Sequence, residues 1–472
     1  AIREVRATPA LFAIEYETKM ENNMPEADAC AKWFAERAAA LLAETKREDP
    51  LYVGWAQVDI TPPRPVALVG QFHKRLSTGA LDPLTATALA LETRAADGST
   101  EQAVFLSCDL CGCYGTITAR LREMIKERIP GLDPRKIALN GTHTHDGPGM
   151  DDATYGTRYD VSGDPGAMTG SEYGAFFLEK ALEAITAAWN GRAPGGMSWA
   201  LGSAAIGINR RVQYTDGTAK MYGDASTDNF DRFEGTTDPG VLLLYFWDQE
   251  QQLTGAVVNI ACPSQETESL MQLSADFWHE TRQEIRKRVG RDIFILPQCA
   301  AAGDQSPHRM FRNAAEEEML RRKGISRRQE IARRIANAVD DTLPGAKGAI
   351  KTAIPLKHQI VEADLAEVTP PLTPFYETDS VHPIRFHVLR IGDVAVATNP
   401  FELFLDYGLR IQCRSKAMLT FLVQLSDDKC GYLPTATAIR GGGYSADKFV
   451  VSPEGAHTLV EATVAAINGL FP

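Results

Sequence analysis

Short apolar stretches alternate along the chain with longer segments of helical spacing. The stretches Ala103–Ser107, Lys136–Leu139, Val241–Phe246, Ala256–Ala261, Ile293–Leu296, Ile384–Ile391, Val394–Thr398 and Leu419–Leu425 predict buried strands. Segments 116–129, 171–190, 274–289, 313–341, 402–412 and 453–468 space their apolar residues as helices do. Residues 26–46 share that spacing and are rich in helix formers, and Pro50 stops them. The alternation predicts an α/β fold, mixed β-sheets layered with helices. No repeat, low-complexity tract or Pro/Gly/Ser linker divides the chain. The expected organisation is an N-terminal helical extension over 1–50 and one domain over 51–472.

Charge and cysteine usage narrow the function classes. The formal net charge of −12 gives no basic face for nucleic acid or an anionic membrane. No run of eighteen apolar residues predicts a transmembrane helix. Eight cysteines are present, and Cys108-Asp-Leu-Cys111-Gly-Cys113 has the spacing of half a metal knuckle. No second CxxC completes it, so free thiols are expected, which suit a reducing compartment.

The candidate chemistry lies just past the strand ends. Nine histidines occur in the whole chain, yet His143 and His145 stand one residue apart within Gly141–Gly149. Side chains two apart on an extended backbone point to one side. Open α/β sheets bind ligands beyond the carboxyl ends of their strands. The strand before Cys299 runs into a loop with Asp304, Ser306 and His308, Glu402 follows another at an expected helix start, and Tyr432 follows a third. The long Gly-, Asp- and Thr-rich loop over 147–170 has the length of a functional loop. Converging, these ends predict a metal-assisted hydrolytic site. A glycan-directed hydrolase using Glu266, Glu268, Asp276 or Glu402 is the alternative, with Phe72-His73 and Phe277-Trp278-His279 as stacking surfaces. A binding protein without catalysis is the third.

These residues also resemble a known family, the neutral ceramidases. Gly54-Trp-Ala-Gln-Val-Asp-Ile-Thr-Pro-Pro63 is similar to its G-x-x-x-x-D-I-T-P opening, and Gly141-Thr-His-Thr-His-Asp-Gly-Pro-Gly149 to its G-T-H-T-H-S-G-P-G signature. Ile208-Asn-Arg210, Gly303-Asp-Gln-Ser-Pro307, Asn399-Pro-Phe-Glu402 and Gly431-Tyr-Leu-Pro-Thr435 follow in family order. The resemblance implies one zinc per chain, held by His143, Glu402 and Tyr432. It implies Ser306 as nucleophile or water-positioner in a loop with Asp304, His145 as a second histidine, and Arg210 as a substrate-side cation. The family's A-x-H-P histidine is replaced here by Cys262 in Asn259-Ile-Ala-Cys262-Pro. Cys262 is the expected fourth ligand, with His73, His279 and His308 as rivals; His73 and His279 otherwise face substrate. The family's C-terminal immunoglobulin-like domain has no counterpart. The expected substrate is a small N-acyl compound or an oligosaccharide rather than ceramide.

Overall fold

The computed structural model describes residues 47–368 and 383–472. The helix expected over 26–46 lies outside the described residues. Three large sheets organise the rest. The first orders Ala353–Ile354, Asp49–Asp59, Thr85–Arg94, Thr100–Cys108 and Ile137–Gly141; the second orders Phe294–Cys299, Leu253–Ile260, Gly240–Trp247 and Gly196–Ser203. The third orders Leu356–Ala363, Ile384–Ile391, Val394–Thr398 and Leu419–Val423.

Side-chain alternation along each strand builds two layers of core. One face of every sheet turns inward, where Leu89 and Phe105 of the first meet Leu242 and Leu296 of the second and Leu389 and Phe421 of the third. The opposite faces take helices. Ala86 and Val104 pack under Leu121 and Phe177, Leu243 and Val258 under Ile285 and Ile331, and Phe386 and Val388 under Ile411 and Leu459. Burial on both faces explains the continuous apolar runs in the sequence.

Each sheet contains one parallel pair joined through a helix. Thr100–Cys108 crosses by Gly115–Arg128 to Ile137–Gly141, and Leu253–Ile260 by Phe277–Val289 to Phe294–Cys299. Val394–Thr398 crosses by Leu405–Arg414 to Leu419–Val423. Parallel strands need such crossovers. The three sets of carboxyl ends are laced together: Gln424 N–H donates to the Cys299 carbonyl at 3.0 Å, and Asp427 N–H to the Leu139 carbonyl at 2.9 Å. One mouth therefore receives loops from all three sheets.

Two expected elements differ. The helix over 313–341 is two helices, Asn313–Lys323 and Arg327–Lys347. Gly324, with φ of 66°, ends the first, and a capping box between Ser326 and Gln329 starts the second. Glu402 does not begin a helix. It sits in a two-residue strand, Glu402–Leu403, parallel to Tyr432–Leu433, and the helix starts at Leu405. Among the described residues no helix is long and apolar enough to cross a membrane.

Candidate metal centre

The strand Ile137–Gly141 delivers the histidines. Gly141 is required there, because a Cβ would lie 2.8 Å from the Leu110 carbonyl oxygen and 2.9 Å from Gly112 Cα. The chain then turns through His143, whose φ of 67° is left-handed and uncommon for a residue with a Cβ. Two bonds hold that conformation: His143 N–H donates to the Leu110 carbonyl at 2.9 Å, and Nδ1–H to the Cys111 carbonyl at 2.5 Å. With a proton committed at Nδ1, the ring presents Nε2 to the far side. There Glu402 Oε2 stands 3.4 Å away, both residues being buried.

Glu402 lies directly opposite Tyr432 in the short parallel pair. The Tyr432 hydroxyl accepts from Arg210 Nη2 at 3.2 Å and donates to the Tyr444 hydroxyl at 3.2 Å. Arg210 is itself buried and fixed by a 2.8 Å bond to the Gly303 carbonyl. Burial would push the Glu402 carboxyl up, but His143, Arg210 and Lys429 outweigh it and hold it at about 2. Burial would likewise depress His143, yet Cys111 and Glu402 raise it to about 10. Without a metal His143 is therefore the imidazolium, its Nε2–H facing Glu402, and the Nε2 lone pair becomes available only where a bound cation takes that proton's place.

His145 comes from the same loop, its ring 5.1 Å from that of His143 and nearly perpendicular to it. Gln265 Nε2 donates to His145 Nε2 at 2.9 Å, leaving the Nδ1 proton to face Glu268 Oε2 at 2.9 Å. Gly70, at φ of 104°, passes so close that a Cβ would come within 2.4 Å of the His145 ring. Glu268 also approaches His308 Nδ1 at 3.6 Å. The family's serine position, Asp146, is a buried ion pair with Arg75 at 2.9 Å that braces the loop from behind.

A narrow cleft of about 20 Å³ opens onto these groups, walled by Tyr155, Tyr159, Tyr444, Phe72 and Arg158. Three of those walls come from the 147–170 loop. Of the other expected residues, Asp304 is a brace that accepts from Asn209 Nδ2 at 2.7 Å and from Leu405 N–H at 2.9 Å. Ser306 Oγ is buried behind the wall, 2.9 Å from the Tyr222 hydroxyl, and accepts from His308 N–H at 3.0 Å. His73 is exposed beside Phe72, and His279 bonds Gln283 on its own helix; neither lines the cleft. Glu266 and Asp276 also lie off the cleft, the first raised to about 7 by burial, the second capping Phe277–Val289.

Cys262 is not brought to the histidines; its thiol faces the Pro263 carbonyl at 3.6 Å. Among the described residues, the donor atoms that cluster within 4.8 Å of one another are those of Cys111, His143 and His145. Lys429 joins them, with Nζ 3.5 Å from Cys111 Sγ and 2.5 Å from the Tyr155 hydroxyl. Cys111 and Lys429 had a sequence signal, since each follows a strand end as the other site groups do.

The donors fit zinc. Two atoms sharing a tetrahedral zinc at its usual bond lengths lie about 3.3 Å apart, close to the His143–Glu402 separation of 3.4 Å. No protein-family model matches the chain, and no curated protein is significantly similar to it. Among solved structures, the neutral ceramidase of Pseudomonas aeruginosa superposes with a TM-score of 0.67 at 16% identity, covering 90% of this chain and 76% of that one. A ceramidase complexed with C2 gives 0.66 with the same identity and coverage. The architecture shared over nine-tenths of the chain makes this a neutral-ceramidase-like α/β fold.

Proposed function

We propose that the chain is a zinc-dependent amide hydrolase acting on a small, polar N-acyl compound. The observation that carries this reading is the convergence of His143 Nε2 on Glu402, 3.4 Å away, with Tyr432 in register beside it. These three would hold one zinc per chain. When bound, zinc supplies Lewis-acid polarisation of a carbonyl oxygen. Arg210, against the Tyr432 hydroxyl, fixes that side chain and places a buried cation where oxyanion charge would develop. His145 Nδ1 lies 2.9 Å from Glu268 Oε2, and the pair would move a proton to a leaving amine. The shared fold with ceramidases supports the reaction class. A paired-carboxylate glycosidase is disfavoured, since of Glu266, Glu268, Asp276 and Glu402 only Glu402 lines the cleft.

The cleft wall also speaks to substrate. It contains no Leu, Ile, Val or Met; apart from Gly70 and the Cys111 thiol it is built of aromatic, imidazole, amide and charged groups. So narrow a cleft, half polar in its lining, suits a short acyl group on a polar amine better than a long alkyl chain. Purified protein should contain about one zinc per chain and hydrolyse N-acetyl substrates in preference to N-palmitoyl ones. Full turnover by metal-free protein would overturn the zinc assignment, and preference for the long acyl chain would overturn the substrate.

Ser306 then acts as a positioning residue rather than an attacking one. Its hydroxyl orients Tyr222 and the His308 backbone, and His308 reaches Glu268. Ser306→Ala is expected to lower kcat about 10–100-fold with KM and zinc content unchanged, the usual effect of removing an outer contact. Wild-type kcat would leave Ser306 a purely structural part of its loop.

A further inference from the structure

We propose that Cys111, not Cys262, is the additional metal donor that stands in for the missing histidine. The inference rests on the zinc reading above but concerns a residue that neither the sequence motifs nor the shared fold assigns.

The geometry is specific. The Cys111 backbone is clamped to His143 through its own carbonyl, which accepts His143 Nδ1–H at 2.5 Å. That clamp holds the thiol beside the histidines, with Sγ 3.7 Å from His143 Nδ1, so that sharing a metal with Nε2 requires the thiol to rotate toward the cleft. Sγ lines the cleft, whereas Cys262 does not. Glycines at 112 and 141 let the two turns pack without an intervening Cβ. Lys429 Nζ, 3.5 Å from Sγ, offers the sulfur a hydrogen bond of the kind that orients and charge-balances a metal-bound thiolate. Donors on one tetrahedral zinc lie about 3.3–3.8 Å apart. Sγ and one ring nitrogen of each histidine already lie within 4.8 Å of one another. Binding would release the thiol proton to solvent. A sulfur donor also predicts preference for zinc, cobalt or cadmium over magnesium and calcium.

Cobalt(II) loaded into the metal-free full chain should give an intense near-ultraviolet sulfur-to-cobalt charge-transfer band. The band should survive Cys262→Ser and vanish in Cys111→Ser, whose zinc affinity should fall at least about tenfold. In the wild-type chain, zinc should also protect Cys111 from iodoacetamide, read by mass of the Cys111 peptide, which requires no variant to fold. Cobalt bound without the band, a band lost in Cys262→Ser instead, or no protection by zinc would overturn the inference while leaving the zinc site standing. Failure to take up cobalt or zinc at all would overturn both.

Discussion

His143→Ala protein is expected to fold, to bind no stoichiometric zinc and to lose all measurable hydrolysis. The imidazole is the one group contacting both sides of the centre, through Nδ1 to the Cys111 carbonyl and through Nε2 to Glu402. Its removal leaves Glu402 buried among Tyr432, Tyr444 and Lys429 without its principal counter-charge. The left-handed backbone at this position costs about 1–3 kcal/mol for any residue with a Cβ, so alanine neither relieves nor worsens that strain. Losing the buried partner of Glu402 should nonetheless cost stability, on the order of a few kcal/mol, without unfolding the chain. Elemental analysis and turnover on the same preparation test it; retained zinc with retained turnover would remove His143 from the site.

The second large effect is on stability and comes from Asp427. Its carboxylate accepts Leu139 N–H at 2.9 Å and Arg122 Nη2 at 2.9 Å, and faces His387 Nε2 at 2.5 Å. His387 Nδ1 lies 2.8 Å from His358 Nε2, whose other nitrogen reaches the Gln102 carbonyl at 3.1 Å. The line of contacts ties the loop carrying Lys429 and Tyr432 to the strand that delivers His143. Asp427→Ala leaves buried His387 without its carboxylate and takes a partner from half-buried Arg122, which keeps the Ile137 carbonyl; losing one partner of a buried pair costs about 3–5 kcal/mol, and this loss should fall near the lower end. A urea titration should show a lower midpoint at unchanged slope; an unshifted midpoint would show the network to be redundant. Burial alone would raise the Asp427 pKa, but Arg122 and His387 depress it below the usual range. A depressed carboxylate stabilises the fold above its unfolded pKa of about 4 and is lost as pH falls through the folded value. Wild-type stability should therefore decline on acidification below about pH 4, and the Asp427→Ala protein should show less of that decline.

The sequence was most legible where burial is two-sided. Val241–Phe246 and Val394–Ala397 are continuous apolar runs because both faces are covered, and both lie in strands. Thr85–Arg94 is equally buried but went unseen, since its Ala and Thr side chains fill narrow gaps against helices and inner core without a bulky signature. Gly196–Ser203 and Leu356–Ala363 were missed for the opposite reason, being strands with partly exposed faces. The break at Gly324 had a complete written signal, a glycine followed by Ser326 and Gln329, inside a segment of unbroken helical spacing.

At the site, strand-end reasoning brought His143, Glu402 and Tyr432 to one place. It puts the sulfur donor at Cys262 and counts Cys111 among the free thiols, whereas Cys111 is the one that lines the cleft. Cys111 and Cys262 both follow strands, and which one faces the histidines depends on how the first sheet's crossover lies against Gly141, a three-dimensional relation with no local spacing. Lys429 was hidden in the same way, three residues from Tyr432 and on an equally short loop.

The lacing of three crossover units around one mouth has a temporal consequence. His143 comes from the first sheet, Gln265 and Glu268 follow a strand of the second, and Glu402 and Tyr432 follow strands of the third. Ribosomal synthesis delivers these in order, and Glu402 and Tyr432 emerge only in the last part of the chain. Contacts this distant in sequence form late in folding. A nascent chain thus carries His143 before Glu402 and Tyr432 exist to face it, and the cleft is complete only when the third sheet has docked.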